Sequence, residues 1–337
     1  MRRRLTIIIL IILGFVTAAL CLITGQVHIP ASEVWTIFTG GDSVNPVWRA
    51  IVMESRLPAL LTAAIAGATL SVAGLLLQTS FSNPLAGPSI LGVSSGASLG
   101  VAVVMLLTGA AASLSIGMNI TILLGAIAGA VAVITVLLLF STKVKSSMML
   151  LIIGILVNYL TSSAIALLNF FSTQEGVHSF VIWGLGSFYG VNAGTMPLFA
   201  TVAVVLLAAS FMLVKPLNAM LLGEKYARSM GVNVTRTRNL ILLLSGALTA
   251  LPTAWCGPIG FIGLVMPHIA RIATGTSNHM TLLPASALCG AVAGLLTLLL
   301  SVLPSGGTLP VNAITPLIGV PVIIYIIMCR KKIFYFN

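Results

Sequence analysis

The chain of 337 residues is 58% hydrophobic and only 6% charged, and its mean hydropathy is +1.16. Such an inventory cannot cover a water-soluble globule with polar surface, so the lipid bilayer is the predicted solvent. The net charge of +11 does not indicate a nucleic-acid ligand, because the 16 lysines and arginines are scattered between apolar runs instead of forming one basic face.

Membrane helices are predicted wherever about twenty apolar residues follow one another, because backbone polar groups in hydrocarbon must be satisfied within the segment. The first run follows a basic amino terminus as a signal peptide would, but it is too long for the apolar core of one and is assigned as a span. An all-α polytopic membrane protein is predicted, with residues 1–337 as one transmembrane domain. The ten predicted spans lie near residues 5–24, 57–78, 90–108, 116–140, 147–169, 195–214, 238–255, 259–273, 282–303 and 313–329.

Positive charge predicts the orientation of this bundle. An even number of spans places both termini on one side, and a cytoplasmic amino terminus puts 14 lysines and arginines inside and leaves only Arg49 and Arg56 outside. Spans two to five and spans seven to ten then start from opposite sides of the membrane, which is the arrangement of an inverted repeat. Both termini are therefore predicted to be cytoplasmic, with an inverted repeat as a hypothesis.

Reactive side chains form no recognisable catalytic or metal-binding set. The motif from Gly92 to Gly96 has the spacing of a serine hydrolase nucleophile elbow, but it opens a membrane helix in a region without an acidic residue. His268 has no second ligand at metal spacing, which favours a hydrogen-bonded structural histidine. Isolated loop or interface positions are predicted for His28, His178 and His279. Buried free thiols, without CxxC spacing, are predicted for Cys21, Cys256, Cys289 and Cys329.

The scarcity of charge inside the predicted spans bears on the energy source. No ionisable side chain lies in the middle of a span, and His268, near the inner end of the eighth, comes closest. Transporters driven by protons or sodium commonly use intramembrane carboxylates or a comparable polar site to couple the ion. The driving force is therefore expected from another component, with an ion-coupled secondary transporter of a small nutrient as the alternative.

Small residues recur at helical spacing in three places. Gly92, Gly96 and Gly100 fall at i, i+4 and i+8, and the pairs at 125/129 and 290/294 repeat this interval. A smooth stripe of this kind lets two helices approach closely. We expect close helix packing at all three stripes.

A basic segment between the sixth and seventh spans, residues 217–232, is predicted to form two short helices. Most of its residues favour helix, while Gly223 and Gly231 supply a turn and a stop. A rigid knob at the end of a bundle suits docking into a groove of a partner protein. An ordinary basic connection is the alternative on composition alone.

Several sequence blocks, spread in order over nearly the whole chain, carry a resemblance to a known family. They are Arg56-Leu57-Pro58, QTSFSNPLAGPSILGVSSGASLG at 78–100, Leu222-Gly223-Glu224 with Ala227-Arg228 and Gly231, GPIGFIGLVMPHIAR at 257–271, Leu282-Leu283-Pro284, Leu309-Pro310-Val311 and Leu317-Ile318-Gly319-Val320-Pro321. With these blocks the chain resembles the FecCD-type permeases, which are the membrane subunits of ABC importers for siderophores, haem and vitamin B12.

The resemblance implies a type II ABC importer permease architecture and a defined set of partners. A second permease copy, identical or a close paralogue, would complete a central path. Two cytoplasmic ATPase subunits would bind ATP and Mg²⁺, and a periplasmic substrate-binding protein would deliver the cargo. The chain itself would bind no cofactor or metal, catalyse no reaction and lie in the lipid bilayer of the bacterial inner membrane.

Residue roles are implied by the same resemblance. The segment 217–232, called the coupling segment below, would dock on the ATPase subunits through Leu221, Leu222, Gly223, Glu224, Ala227, Arg228 and Gly231. A cytoplasmic gate would be formed by Asn83, Leu85, Ser146 and Ser147. A loop turn capped by the asparagine is the alternative at the first two positions.

For the outer face, the resemblance implies one contact with a partner protein. Arg56 would pair with an acidic residue of the binding protein, and reaching the lipid headgroups is the alternative. The chain departs from the family pattern at Ala59, Ser301 and Thr308, where charged residues are common. The aromatic stretch before the sixth span would form an interfacial belt or lie near the substrate entrance, and it contains Phe180, Trp183, Phe188 and Tyr189.

The sequence indicates only the chemical class of the cargo. An iron complex, either a siderophore or haem, comes first on the breadth of the resembled family, and cobalamin follows. Oxyanions are a further alternative as cargo, because the specificity for the cargo in such systems resides largely in the binding protein.

Overall fold

The regular secondary structure of the described residues is entirely helical, and no strand occurs among them. The computed structural model describes residues 2–40, 45–108, 116–144, 147–304 and 307–328. A π-helical turn covers residues Ile51–Arg56. In chain order the helices are α1 (Arg2–Ile23), α2 (Ala31–Thr39), α3 (Pro46–Ala50), α4 (Leu57–Ser80), α5 (Val93–Thr108), α6 (Ile116–Lys143), α7 (Ser147–Phe171), α8 (Gln174–Gly184), α9 (Met196–Ser210), α10 (Val214–Met220), α11 (Glu224–Ser229), α12 (Val234–Cys256), α13 (Ile262–Thr274), α14 (His279–Val302) and α15 (Val311–Met328).

Seven segments among the described residues are long and apolar enough to cross a membrane. They are Arg4–Ile23, Pro46–Ser80, Ile120–Lys143, Met148–Phe171, Met196–Met220, Val234–Cys256 and His279–Val302. Three shorter apolar helices, Val93–Leu107, Ile262–Thr274 and Val311–Tyr325, lie in the remaining predicted spans. The all-helical membrane fold is confirmed, while the count of ten crossings, the orientation and the single-domain boundary stay predictions.

The second predicted span, α4, is the central helix of the bundle. In the most apolar stretch of its segment 83% of the residues are buried, against 11% for α1 and 22% for α7. It packs against α12, α13 and α14. Because α4 is apolar on every face and rich in alanine and glycine, it can be surrounded by other helices, whereas α1 and α7 leave apolar surface for lipid or another chain.

Glycine stripes bring two helix pairs into backbone contact. A Cβ atom added to Gly67 in α4 would lie 2.0 Å from the carbonyl oxygen of Gly290 in α14. A Cβ atom added to Gly100 in α5 would lie 1.9 Å from the carbonyl oxygen of Gly125 in α6. No side chain fits in either gap, so the predicted close packing at these stripes is confirmed.

The seventh predicted span begins earlier than its hydropathy indicates. Helix α12 starts at Val234, because the side-chain oxygen of Asn233 accepts a hydrogen bond of 3.0 Å from the backbone N–H of Arg236 and caps the helix. Arg236 and Arg238 therefore lie within the helix, which begins four residues before the predicted span at 238–255. Charged residues lowered the hydropathy of this first turn without preventing helix formation.

Helical structure also extends upstream of the second predicted span. Asn45 accepts a hydrogen bond from the N–H of Val47 at 3.0 Å, and Pro46 stands at the first helical turn, where its missing N–H costs nothing. The helix then runs through Arg56 into α4 without a break. Residues 46–56 are therefore helical and continuous with α4.

The bundle has two distinct ends. At the coupling end, where α1 begins and the coupling segment lies, the hydroxyl of Thr6 donates a 3.0 Å hydrogen bond to the carbonyl of Ala273 near the end of α13. At the opposite end, where α1 finishes, Arg56 contacts the last turn of α1, and the backbone N–H of Ser187 bonds to the carbonyl of Cys256 at 2.9 Å.

Candidate functional site

A cavity of about 490 Å³ lies where α5, α7 and α8 meet the loop before α13 and the start of α15. Serine and asparagine residues make up half of its lining although most of the wall is apolar, and no charged residue occurs among its described lining residues. Ser95 and Asn158 bond to each other, whereas the hydroxyl of Ser94 is buried without a partner among the described residues. The polar lining residues are Ser89, Ser94, Ser95, Ser98, Asn158, Ser162 and Asn312.

The carboxamide of Asn312 holds one wall of this cavity together. Its nitrogen donates hydrogen bonds to the carbonyl of Gly184, at 2.9 Å, and to that of Pro258. Its oxygen accepts a 3.3 Å hydrogen bond from the N–H of Gly260. One side chain thus ties the end of α8 to the loop before α13, so the shape of the cavity depends on residues more than fifty positions apart in sequence.

The predicted aromatic stretch divides between two environments. Phe180 and Trp183 stack with ring centroids 6.1 Å apart and line the cavity. Phe188 is only 1% exposed and belongs to the core, whereas Tyr189 is 42% exposed. Burial raises the pKa of the Tyr189 phenol, and the positive charge of Arg56 acts in the opposite direction. Of this aromatic stretch, Phe180 and Trp183 are therefore the two residues that line the cavity.

Two hydrogen bonds hold the loop between α4 and α5, residues 81–92. The side-chain oxygen of Asn83 accepts a 2.9 Å hydrogen bond from the N–H of Leu85 and closes the turn. Nε2 of His268 lies 2.7 Å from the carbonyl oxygen of Pro84. Because a carbonyl only accepts, Nε2 carries the proton, and the predicted hydrogen-bonded structural histidine is confirmed. Leu85 is 45% exposed, and the gate role of this loop stays a prediction.

Other predicted residues are placed as follows. Ser146 lies outside the described residues, and Ser147 is the first residue of α7. Three cysteines are buried free thiols, as predicted, and the fourth lies outside the described residues. No group of three or more histidine, cysteine or acidic residues that could hold a metal ion occurs in the described part of the chain.

The coupling segment forms two short helices, as predicted. Helix α10 ends at Met220, and Gly223 with φ of +97° turns the chain into α11. Gly231, with φ of +82°, ends the segment, and the N–H of Val232 bonds to the carbonyl of Ala227 at 3.0 Å. Both glycines adopt the left-handed conformation that other residues avoid. The predicted turn and stop are therefore confirmed.

A charge pair attaches α11 to the bundle. A guanidinium nitrogen of Arg238 in α12 donates a 2.6 Å hydrogen bond to the carboxylate of Glu224, the first residue of α11. The Arg238 side chain is 3% exposed and that of Glu224 is 33% exposed. Ala227, a residue of the same helix, is fully buried. Of the predicted docking residues, Ala227 therefore serves packing and Glu224 serves anchoring, while Leu222 and Arg228 are exposed.

Arg56 is buried, at 7% exposure, against the last turn of α1. Its guanidinium donates hydrogen bonds to the carbonyls of Leu22, Ile23 and Val27, at 2.6, 3.0 and 2.5 Å. The first two oxygens belong to the last turn of α1, where carbonyls have no intrahelical donor, and the third follows the helix end. The structure thus assigns Arg56 to capping α1, and pairing with a binding protein stays a prediction.

Replacing Arg56 by alanine is expected to lower the free energy of unfolding by about 1.5–3 kcal/mol, because three carbonyls lose a charged donor. Arg49, which is exposed on the preceding helix, provides the control substitution Arg49→Ala. Thermal unfolding of both variants in detergent measures the difference. Equal midpoints for the two variants would contradict the capping role.

The departures from the family pattern are also buried or recessed. Ala59 is 1% exposed, and Ser301, at 3%, donates a 2.7 Å hydrogen bond to the carbonyl of Leu298. Ser301, Thr308 and Tyr189 line a second cavity of about 330 Å³ at the opposite end. Neither Ala59 nor Ser301 therefore presents a side chain to a docking partner.

The prediction that His279 is an isolated residue is wrong. The ring is fully buried where α14 begins against α4 and α10. Its two nitrogens lie 2.9 Å from the hydroxyl of Thr79 and 2.9 Å from the side-chain oxygen of Asn218. Both partners are remote in sequence. Sequence reasoning also missed Asn158, Arg238 and Asn312 as functional candidates. Only Asn312 had a local signal, since it follows the recognised block Leu309-Pro310-Val311.

Comparisons with known proteins agree with this description. The model of the FecCD transport family matches residues 9–329. The chain is 34% identical over 311 residues, 92% of each chain, to the vitamin B12 import system permease protein BtuC of Salmonella paratyphi A (strain ATCC 9150 / SARB42). It is 35% identical over 300 residues to the protein of the same name from Escherichia coli O127:H6 (strain E2348/69 / EPEC), covering 88% of this chain and 89% of that relative.

Two solved structures are similar to this one. One is described as a metal-chelate type ABC transporter in an inward-facing conformation; the TM-score is 0.82 at 31% identity, and the match covers 96% of this chain and 98% of that chain. The other, PsaBC from Streptococcus pneumoniae in complex with Fab, has a TM-score of 0.56 at 18% identity, with 80% and 90% coverage. The second match bears on the fold alone.

Proposed function

Because the chain belongs to the FecCD transport family, we propose that it is the membrane-spanning subunit of an ATP-driven, binding-protein-dependent importer. In this proposal a second permease copy completes the path, two cytoplasmic ATPase subunits dock on the coupling segment, and a periplasmic binding protein delivers the cargo. The relatives are permease proteins and not enzymes, so ATP and Mg²⁺ are assigned to the partner. Ten spans then place both termini on the ATPase side.

The observation that carries the proposal is the surface of the coupling segment. Leu222, Tyr226 and Met230 are 57%, 53% and 59% exposed at the coupling end, while Ala227 and the Arg238–Glu224 pair hold the same segment against the bundle. Tyr226 lies on α11, whereas Leu222 lies in the turn before this helix and Met230 directly follows it. A firmly held ridge with exposed apolar side chains suits a hydrophobic groove on a soluble partner.

A second permease copy is proposed to close the cavity beside α5, α7 and α8. Tyr159, on α7, is 70% exposed, and Ser162 on the same helix is exposed although it lines the cavity. Leu156 and Leu160 add apolar surface to this helix, at 59% and 71% exposure. A transport path with one open side is completed when the same surface of another copy faces it across a twofold axis.

The proposed cargo is a bulky metal complex: cobalamin, or an iron complex such as a siderophore or haem. The names of the relatives support vitamin B12, and the description of the similar structure supports a metal chelate. The uncharged cavity wall suits a large ligand that forms hydrogen bonds and aromatic contacts in passing and is not held by ion pairs. Uptake of labelled cobalamin, with ferric siderophore and haem as competitors, distinguishes the three.

Replacing Leu222 by aspartate is expected to release the ATPase subunits from the purified assembly and to reduce ATP-dependent uptake at least about tenfold, because the substitution places an unpaired charge in a hydrophobic contact. Copurification and uptake into proteoliposomes measure both effects. Trp35 is 71% exposed on α2, away from the coupling segment, and Trp35→Asp is the control. Retained ATPase subunits and normal uptake in the Leu222 variant would refute docking at this surface.

The ion-coupled alternative predicts a different result for the unaltered protein. If uptake into cells collapses with an uncoupler while cellular ATP is maintained, a secondary transporter is favoured. ATP-dependent uptake that persists without an ion gradient supports the importer.

A further inference from the structure

The coupling segment and the loop after α4 are connected by a chain of hydrogen bonds that passes through a buried histidine. Asn218 lies in the coupling segment, His279 begins α14, and Thr79 lies in the last turn of α4, just before the loop that carries Asn83. Thr79 and His279 are both fully buried. Three elements that the sequence separates by up to 200 positions therefore meet at one ring.

The direction of each hydrogen bond follows from the groups that can only donate. The backbone N–H of His279 points at the side-chain oxygen of Asn218, at 2.9 Å, so that oxygen is the acceptor and faces the ring. Nδ1 of His279 is also 2.9 Å from this oxygen and must donate to it. Asn218 then donates its NH₂ group to the side-chain oxygen of Asn278, at 3.1 Å, which also accepts from the N–H of Met280.

The other face of the ring reaches α4. With the proton on Nδ1, Nε2 of neutral His279 is an acceptor, and the hydroxyl of Thr79 donates to it over 2.9 Å. The backbone carbonyl of Thr79 accepts a 3.2 Å hydrogen bond from the N–H of Ser82, whose φ is +46°. Thr79 therefore holds His279 with its side chain and the first turn of the loop with its backbone.

We propose that His279 is a positioning residue, and that the chain Asn218–His279–Thr79 transmits displacement of the coupling segment to the gate loop, residues 81–92. Breaking either bond of the buried ring would leave a polar group without water, so the three side chains move together. The gate loop is also held by the hydrogen bond between the carbonyl of Pro84 and His268 of α13. A displacement of Thr79 therefore acts on a loop that is attached to the bundle at a second point. The proposal rests on the function proposed above.

A matched pair of substitutions in α4 separates this connection from the general stability of the helix. Thr79 and Thr69 are both fully buried, and the hydroxyl of each lies within hydrogen-bond distance of a carbonyl one turn back. Only the hydroxyl of Thr79 also contacts another helix through His279. Thr79→Val removes that contact with little change in shape, Thr69→Val is the control, and Thr79→Ser restores the hydroxyl.

The experiment uses the complete assembly, with ATPase subunits and loaded binding protein, in proteoliposomes. The number of cargo molecules transported per ATP hydrolysed is expected to fall about tenfold in Thr79→Val, the scale of one lost buried hydrogen bond. It should stay close to the unaltered value in Thr69→Val and Thr79→Ser. A purely structural role would lower the thermal midpoint of Thr79→Val without changing this ratio.

The outcomes separate the two proposals. If the unaltered assembly transports cargo without using ATP, the proposed function fails and the transmission proposal fails with it. If the unaltered assembly is coupled to ATP and Thr79→Val has the same transport ratio as Thr69→Val, the transmission proposal alone is overturned.

Discussion

Gly67→Ala is expected to prevent accumulation of the folded protein. The new methyl group would lie 2.0 Å from the carbonyl oxygen of Gly290 and 2.7 Å from its carbonyl carbon. Both are backbone atoms, so no change of rotamer relieves the clash, and α4 and α14 must move apart along the central contact of the bundle. The cost should exceed the about 1–3 kcal/mol that is typical of an overpacked core. Yield and monodispersity in size-exclusion chromatography measure the effect.

The control for this prediction also adds a methyl group to a glycine that faces α14. In Gly14→Ala the new atom would lie 3.6 Å from a side-chain methyl of Val292, which is ordinary van der Waals contact. This variant should accumulate as the unaltered protein does. Similar yields and thermal midpoints for the two variants would show that α4 and α14 are not in backbone contact.

Glu224→Gln is expected to free α11 from the bundle and to uncouple transport from ATP hydrolysis. The change keeps the size of the side chain but leaves the guanidinium of Arg238, 3% exposed, without the charge of its partner. A hydrogen bond between charged groups contributes about 1.5–3 kcal/mol, or roughly a 10- to 150-fold change in the population of detached α11. The partial exposure of Glu224 keeps the effect below that of a fully buried pair.

The measurement is proteolytic nicking of the coupling segment together with transport per ATP hydrolysed. Lys225→Gln removes a neighbouring exposed charge and should change neither quantity appreciably. The double substitution Glu224→Gln with Arg238→Met removes the buried charge as well and should be more stable than the single variant. Equal nicking of Glu224→Gln and Lys225→Gln would rule out anchoring by this pair.

Local sequence signals were sufficient for the coupling segment. Its two helices and its two glycines were predicted from residues within one short stretch, and Gly223 and Gly231 both have the positive φ that a turn and a stop require. The same holds for the apolar runs, whose helices begin and end close to the predicted residues. The start of α12 was misplaced because hydropathy does not register the cap that Asn233 provides.

Arg56 illustrates what local signals miss. The family resemblance implies a docking residue, its position before an apolar run suggests contact with headgroups, and both interpretations leave its guanidinium outside the bundle. The structure buries it on the carbonyls of Leu22 and Val27, 34 and 29 residues upstream. Only the packing of α1 beside the start of α4 brings those oxygens within reach.

The amino-acid sequence determined that the protein is a helical membrane bundle with a basic segment of two short helices and closely packed glycine stripes. These properties depend on hydropathy, spacing and turn residues that act over one or two helical turns. Tertiary structure alone decided that α4 is central, that serine and asparagine side chains share a cavity, and that His279 joins the coupling segment to α4. These features depend on pairs such as Thr79 and His279, 200 residues apart, which meet only after the helices have packed.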